Sequence, residues 1–241
     1  MHSSRSAAAA PLSPPDVTLA GLGLHAYDAS VGCTAAAWED IILNDDLVQG
    51  TSNNQPAITS AGLLSYAQFD GSTDRQVDTT VTNFGGAGGF LYICVAEYLT
   101  AAAAKTPFCG STSGGLQVGV TGAPVGGFTA RFTDATGADD MVSLTPGDTA
   151  RHIFIIRCEI GVSRKFYVDG GAGVSGARTS ALVSTTRIIM GAGGAAGASE
   201  NAHCRVFYGW LANGPSTLAN INALVGPWAV QRFGVAWSNI S

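Results

Sequence analysis

Residues 55–77, QPAITSAGLLSYAQFDGSTDRQV, decide how the rest of the chain is interpreted. Pro56 biases Gln55 toward an extended backbone, because its ring restricts the residue before it. Within residues 66–70, apolar and polar side chains then alternate, and Asp70-Gly71 ends the run. Period-two alternation that ends in Asp-Gly predicts a β-strand running into a tight turn.

The composition favours an all-β protein with many turns. The chain has 241 residues, of which 46% are hydrophobic, 12% are charged and 32 are glycine. Such an apolar chain with a net charge of only −5 is not typical of disorder, and it is long enough to bury a large core. Abundant glycine indicates a sandwich or barrel with many tight connections.

Several classes of partner are disfavoured by the sequence. Only 12 basic residues are spread along a chain with an isoelectric point near 5.2, so we expect no nucleic-acid binding. No apolar run approaches the roughly 20 residues that span a bilayer, and residues 1–17 lack the apolar core of a signal peptide. The five cysteines are scattered without a CxxC pair, which predicts free thiols in a reducing compartment.

The first 17 residues differ in composition from the remainder. They contain small and proline-rich side chains without a periodic apolar face, so we expect an extended arm over residues 1–17 and one domain over residues 18–241. The alternative is a disordered leader. If the arm binds a neighbouring subunit, the expected contact residues are Pro11, Leu12, Pro14, Pro15 and Val17.

Two stretches predict the core of the sheets. Residues 90–98, FLYICVAEY, are apolar on both faces, which is typical of a central strand. Residues 151–170 form the clearest hairpin, with a turn near Gly161 and another at Asp169-Gly170. The residues expected in the core are Phe69, Ile93, Val95, Phe154, Ile156, Phe166 and Val168.

The C-terminal region predicts a helix. Pro215 is expected in its first turn, and residues 218–225 carry an apolar face at helical spacing. Gly226-Pro227 is expected to interrupt the helix, because proline cannot occupy an uninterrupted helix interior. A short second piece would then end at Gly234.

The order of these segments resembles the concanavalin A-like, LamG-type jelly-roll family, in the versions found in phage structural proteins and carbohydrate-binding modules. The resemblance covers roughly residues 22–234. It rests on LHAYDAS (24–30), Trp38-Glu39-Asp40, Gln55-Pro56, QFDGSTD (68–74), FYVDG (166–170), RIIMG (187–191) and the closing helix. It implies a two-sheet antiparallel sandwich, but it does not specify a function.

No catalytic arrangement is apparent, so we expect the chain not to be an enzyme. Glucanases of the resembled family carry paired glutamates on one strand for retaining hydrolysis. Here the glutamates are isolated at positions 39, 97, 159 and 200. The GxGxxA pattern at residues 191–196 precedes a predicted strand rather than a helix, so we interpret it as a glycine turn.

Candidates for metal and sugar binding are few. Calcium could bind at Asp70 and Asp74, although turn capping is the simpler explanation of both aspartates, and no other cofactor is expected. His25, His152 and His203 lack metal-ligand spacing. Trp38, Trp210, Trp228 and Trp237 are candidates for sugar stacking. Trp38 and Trp210 are preferred, whereas Trp228 is expected in the core.

Three functions remain open from the sequence. The favoured one is a virion structural protein, made in the host cytoplasm and attached to a phage head or tail through its arm. Its partners would be other virion proteins or copies of itself, with surface glycans as a further ligand. The alternative is a carbohydrate-binding module, and a glycoside hydrolase is the least favoured.

Overall fold

The computed structural model describes residues 23–43, 45–78, 88–100, 106–112, 115–121, 127–145, 147–182, 185, 187–193 and 201–241. The expected arm, residues 1–17, lies outside these ranges, so it remains a prediction together with its five contact residues. The described residues form a sandwich of two antiparallel sheets with a short C-terminal helical segment. The predicted fold class is therefore confirmed.

The strands are β1 Gly23–Asp28, β2 Ala37–Trp38, β3 Leu47–Val48, β4 Ala57–Thr59, β5 Tyr66–Asp70, β6 Gln76–Asp78, β7 Phe90–Tyr98, β8 Phe108–Thr112, β9 Gly115–Thr121, β10 Thr129–Asp134, β11 Gly137–Val142, β12 Arg151–Glu159, β13 Ser163–Val168, β14 Val174–Ser175, β15 Arg187–Met190 and β16 His203–Asn213. Sheet A has the order β14-β13-β12-β7-β16-β5-β4, with β1 also paired to β16. Sheet B has the order β11-β10-β9-β8-β15-β6-β3-β2. Short 3-10 turns occupy Ser52–Asn54 and Gly62–Leu64.

Strand β7 lies at the centre of sheet A, between β12 and β16, as its sequence predicts. Its Phe90, Tyr92 and Cys94 side chains are fully buried in the cluster between the two sheets. Ile93 and Val95 point the other way, into a second cluster beneath the C-terminal helices. Sheet A is therefore covered on both faces, which explains the absence of polar alternation in β7.

The hairpin predicted over residues 151–170 is present as β12 and β13. Phe154 pairs with Val168, and Ile156 pairs with Phe166. All four side chains belong to the core between the sheets. The remaining residues expected in the core are also buried.

The helical segment differs from its prediction at both the start and the middle. It begins at Leu218 rather than near Pro215, because the Thr217 side chain caps it by accepting a hydrogen bond from the Asn220 N–H. Helix α1, Leu218–Asn220, continues into a wide π turn at Ile221–Val225 and then into α2, Gly226–Phe233.

The expected break at Gly226-Pro227 is therefore wrong. The wide turn lets the Gly226 N–H donate to the Ile221 carbonyl, five residues back. Pro227 consequently falls in the first turn of α2, where its missing N–H costs little. Gly234 ends the helix in the left-handed conformation, at φ 67°, as predicted.

The helices are attached to sheet A by aromatic and ionic contacts. Trp228 is fully buried, and its ring packs edge-on against Tyr208, with centroids 4.8 Å apart. Arg232 forms a buried ion pair with Asp28 of β1. All five cysteines are free thiols. Within the described residues, no helix is long and apolar enough to cross a bilayer.

Candidate functional site

A cleft of about 370 Å³ lies where the β13–β14 connection meets the C-terminal segment. This volume falls at the lower end of the range for small-ligand sites. The cleft is lined by Ser143–Thr145, Phe166, Val168–Val174 and Ala236–Ser238.

One wall of the cleft is a loop with an unusual backbone. Asp169 has φ 55°, a left-handed backbone conformation that residues other than glycine rarely adopt. Gly170, Gly171 and Gly173 also have positive φ, at 88°, 79° and 67°. Glycine lacks a Cβ, so it allows this path and brings backbone polar groups close to a ligand. Strain of this kind at a cleft is often associated with function.

The C-terminal segment is hydrogen-bonded to this loop and completes the cleft. Gly171 donates from its N–H to the Ser238 carbonyl at 3.0 Å, and the Ser238 N–H donates to the Asp169 carbonyl at 3.0 Å. A Cβ on Gly170 would collide with the Ser238 carbonyl oxygen. The close approach of the two segments therefore requires glycine at position 170.

Two large apolar residues are among those that line the cleft. Trp237 is half-buried, and the five-membered ring of its indole lies against Gly226. Leu144 is 91% exposed, an unusual position for a large apolar side chain. Together they give the cleft apolar surface beside the polar loop.

Three hydrogen-bonded ionisable residues, Asp169, His152 and Asp148, support the loop. His152 makes hydrogen bonds of 2.7 Å to Asp169 and 2.8 Å to Asp148, one from each ring nitrogen. Burial alone would lower the pKa of His152, but the two carboxylates outweigh burial and raise that pKa. The Asp169 carboxylate also accepts a hydrogen bond from the Ile153 N–H at 3.0 Å, and the Asp169 N–H donates to the Ile153 carbonyl at 3.0 Å.

The two preferred sugar-stacking candidates from the sequence lie elsewhere. Trp38 and Trp210 are both fully buried, so neither presents a ring face to solvent. Trp38 belongs to the core between the sheets, and Trp210 lies beneath the helices. The indole that reaches the described cleft is Trp237, which local sequence does not distinguish from the others.

Asp70 and Asp74 adopt a turn-capping arrangement. The Asp70 carboxylate accepts hydrogen bonds from the N–H groups of Ser72, Thr73 and Asp74. Asp74 accepts one in return from the Asp70 N–H at 3.0 Å. Partial burial acts to raise the pKa of Asp70. The Ser72 hydroxyl and these backbone N–H groups donate to the carboxylate and hold the pKa well below its ordinary value. Calcium binding at this turn stays a prediction.

The described glutamates mainly serve as ion-pair partners. Glu97 lies 2.8 Å from Arg205 and 3.6 Å from Arg151, and Glu159 lies 2.9 Å from Arg157. The glycine pattern at residues 191–196 is only partly described, since residues 194–196 lie outside the described ranges. The strand expected after it is β16.

A second, more open hollow of about 550 Å³ lies elsewhere on the sandwich. It is lined by Ala29, Ser30, Gly32–Thr34, Ser60, Gly62 and Ser65. Among these described residues there is no aromatic side chain, so a sugar ring would have no stacking partner in this outer hollow.

Comparisons with known proteins identify the fold through solved structures. No family model matches the sequence. No curated protein matches it either. The binding domain of Paraclostridial Mosquitocidal Protein 1 is similar with a TM-score of 0.63 at 10% identity, over 86% of this chain and 52% of the other. A Trypanosoma rangeli sialidase is similar with a TM-score of 0.60 at 14% identity, over 88% of this chain and 33% of the other.

A third similar structure is the ligand-binding domain of botulinum neurotoxin serotype D, in complex with N-acetylneuraminic acid. Its TM-score is 0.56 at 9% identity, over 87% of this chain and 52% of the other. The chain thus spans about a third of the sialidase and about half of each toxin chain. At these identities the similarity shows a shared β-sandwich, consistent with the lectin-like jelly roll that the sequence resembles.

The expectation that the chain is not an enzyme is contradicted by the sialidases among these neighbours. That expectation relied on the absence of paired glutamates. Sialidases use a tyrosine nucleophile, so a missing glutamate pair does not exclude their chemistry. The virion role finds no support among these neighbours, and its partners and localisation stay predictions.

Proposed function

We propose that this protein is a glycan-binding domain and that its ligand occupies the cleft beside Trp237. The single observation that carries the proposal is the cleft itself, which Trp237 and the exposed Leu144 line together with a loop rich in backbone polar groups. A pyranose ring has an apolar C–H face and a rim of hydroxyl groups. An aromatic wall and a polar loop match those two features.

The structural neighbours support the same class of ligand. One toxin domain is a ligand-binding domain solved with N-acetylneuraminic acid, and a sialidase has been solved with sialic acid. These facts concern the neighbours. They favour the carbohydrate-binding alternative over the virion role that the sequence favoured.

The charge of the cleft favours a neutral sugar. Among the described lining residues, Asp169 is the one charged side chain, and lysine and arginine are absent. Asp169 shares a hydrogen bond with His152, whose other partner is the carboxylate of Asp148. A sialic acid carboxylate in the cleft would therefore meet net negative charge.

Glycan binding is tested by screening neutral and sialylated oligosaccharides, followed by titration calorimetry. We expect Trp237→Ala to weaken the Kd by about tenfold or more, equivalent to about 1.4 kcal/mol, because it removes the aromatic wall. Leu144→Ala should weaken binding less. Val162→Ala is the matched control, because Val162 is 69% exposed and does not line the cleft.

The outcomes separate the class of ligand from its charge. Binding that is unaffected by Trp237→Ala in a folded variant would refute the cleft as the site. Tighter binding of sialylated than of neutral glycans would refute the charge argument alone. Absence of binding to all glycans would refute the proposed function.

A further inference from the structure

Three ionisable residues far apart in sequence meet where the two sheets face each other. One ring nitrogen of His25 and one carboxylate oxygen each of Asp45 and Asp78 lie within 4.8 Å of one another. His25 belongs to β1 of sheet A, whereas Asp78 ends β6 of sheet B. Asp45 lies in the connection between β2 and β3. None of the three lines the cleft.

The His25 ring is held in one orientation by a buried carboxylate. Its Nδ1 lies 2.7 Å from Asp40 Oδ2, and both side chains are 0% exposed. The other oxygen of Asp40 accepts hydrogen bonds from the N–H groups of Ala26 and Ile42. A carboxylate that fixes one imidazole nitrogen and leaves the other for a metal is the usual support of a histidine ligand.

The second ring nitrogen of His25 is buried without a hydrogen-bond partner in the described part of the chain. This nitrogen, Nε2, is fully enclosed. In a neutral imidazole whose Nδ1 donates to Asp40, Nε2 carries the lone pair that can bind a metal. A buried acceptor without a partner costs stability, so a ligand at this position would be favourable.

We propose that His25, Asp45 and Asp78 bind one Zn²⁺ ion. Zinc accepts imidazole nitrogen together with carboxylate oxygen, and three protein ligands commonly leave a fourth position for water. Ligand atoms of a tetrahedral zinc site lie about 3.4 Å apart, given metal bonds near 2.1 Å. The observed limit of 4.8 Å therefore requires a contraction of up to about 1.4 Å when the metal binds.

The position of Asp45 on a connection allows that contraction, and the mixed nitrogen and oxygen ligands favour zinc over calcium. Asp45 is half-buried on a connection rather than a strand, and the Tyr27 hydroxyl positions this connection by donating to the Asp45 carbonyl at 3.1 Å. Calcium prefers oxygen ligands alone, so the imidazole disfavours it. Bound zinc would join sheet A to sheet B, and binding would stabilise the fold.

The test uses the untagged full chain after treatment with a chelator. We expect calorimetry to show one Zn²⁺ per chain, and we expect Zn²⁺ but not Ca²⁺ to raise the Tm. Asp45→Asn should weaken the zinc Kd by about tenfold or more, and Asp40→Asn by about 10–100-fold through loss of the imidazole support. Asp46→Asn is the matched control: it keeps the side-chain oxygen that accepts from the Asp40 N–H, so the zinc Kd should stay within about twofold.

Spectroscopy gives a readout that does not depend on a variant. Co²⁺ added to the wild-type protein should show the visible absorption of a four-coordinate site, and Zn²⁺ should displace it. The proposal is overturned if the chelated protein neither binds Zn²⁺ nor gains stability. It is also overturned if Asp46→Asn weakens binding as much as Asp45→Asn, or if Ca²⁺ stabilises the protein as strongly as Zn²⁺. These outcomes are independent of glycan binding.

Discussion

Replacing Gly170 by alanine tests how the cleft is built. Gly170 has φ 88°, and the position of its missing Cβ is already taken by the Ser238 carbonyl oxygen. Gly161, in the turn between β12 and β13, also has positive φ, at 73°, but open space surrounds its Cβ position. Comparing Gly170→Ala with Gly161→Ala therefore separates the cost of backbone strain from the cost of a steric collision.

The magnitudes follow from these two local environments. A left-handed conformation costs an L-residue about 1–2 kcal/mol, and alanine recovers about 0.4–1 kcal/mol by restricting the unfolded chain. We therefore expect Gly161→Ala to lower the free energy of unfolding by about 0–1.5 kcal/mol. Gly170→Ala adds an overpacking cost of about 1–3 kcal/mol.

Urea denaturation of both variants at equal m-values measures this difference. Gly170→Ala should also weaken glycan binding, because the displaced Ser238 belongs to the wall of the cleft. Gly161→Ala should leave the Kd unchanged. If the two variants lose the same stability within about 0.5 kcal/mol, the contact between the loop and the C-terminal segment does not restrain position 170.

Two further predictions concern the core and pH. Phe154→Ala should cost about 3–5 kcal/mol in urea denaturation, because the ring is fully buried and packs 4.9 Å from the Phe128 ring; a loss below about 1 kcal/mol would contradict this packing. The folded-state pKa of His152 is raised, so its stabilising effect is complete below about pH 6.5 and is lost as pH rises through the folded pKa. The difference in unfolding free energy between wild type and His152→Gln should therefore shrink as pH rises above about 6.5, and a constant or growing difference would refute the role of the two carboxylates.

The sandwich could be predicted from sequence because its strands carry strong local patterns. Strand β7 has apolar side chains on both faces, and only a central, doubly covered strand accommodates such a run. The pairing of Phe154 with Val168 follows from the apolar faces of one hairpin and its turn. In both cases the deciding contacts are local or repeat with period two.

The sites depend on contacts that no local pattern contains. Trp38 and Trp210 differ from Trp237 in exposure only because of where the strands and the C-terminal segment lie after folding. His25 and Asp78 belong to opposite sheets, so their proximity follows from the packing of the sandwich. The break expected at Gly226-Pro227 failed because a wide turn supplied backbone pairing that proline propensity alone does not predict.

The most direct test of glycan binding in the cleft is an amide NMR titration of isotope-labelled protein with the tightest-binding oligosaccharide. We expect saturable shifts concentrated in Asp169–Val174 and Ala236–Ser238, the two segments that form the cleft. Shifts confined to the outer hollow, at Gly32–Thr34 and Ser60–Ser65, would contradict the proposed site even if the affinity is high.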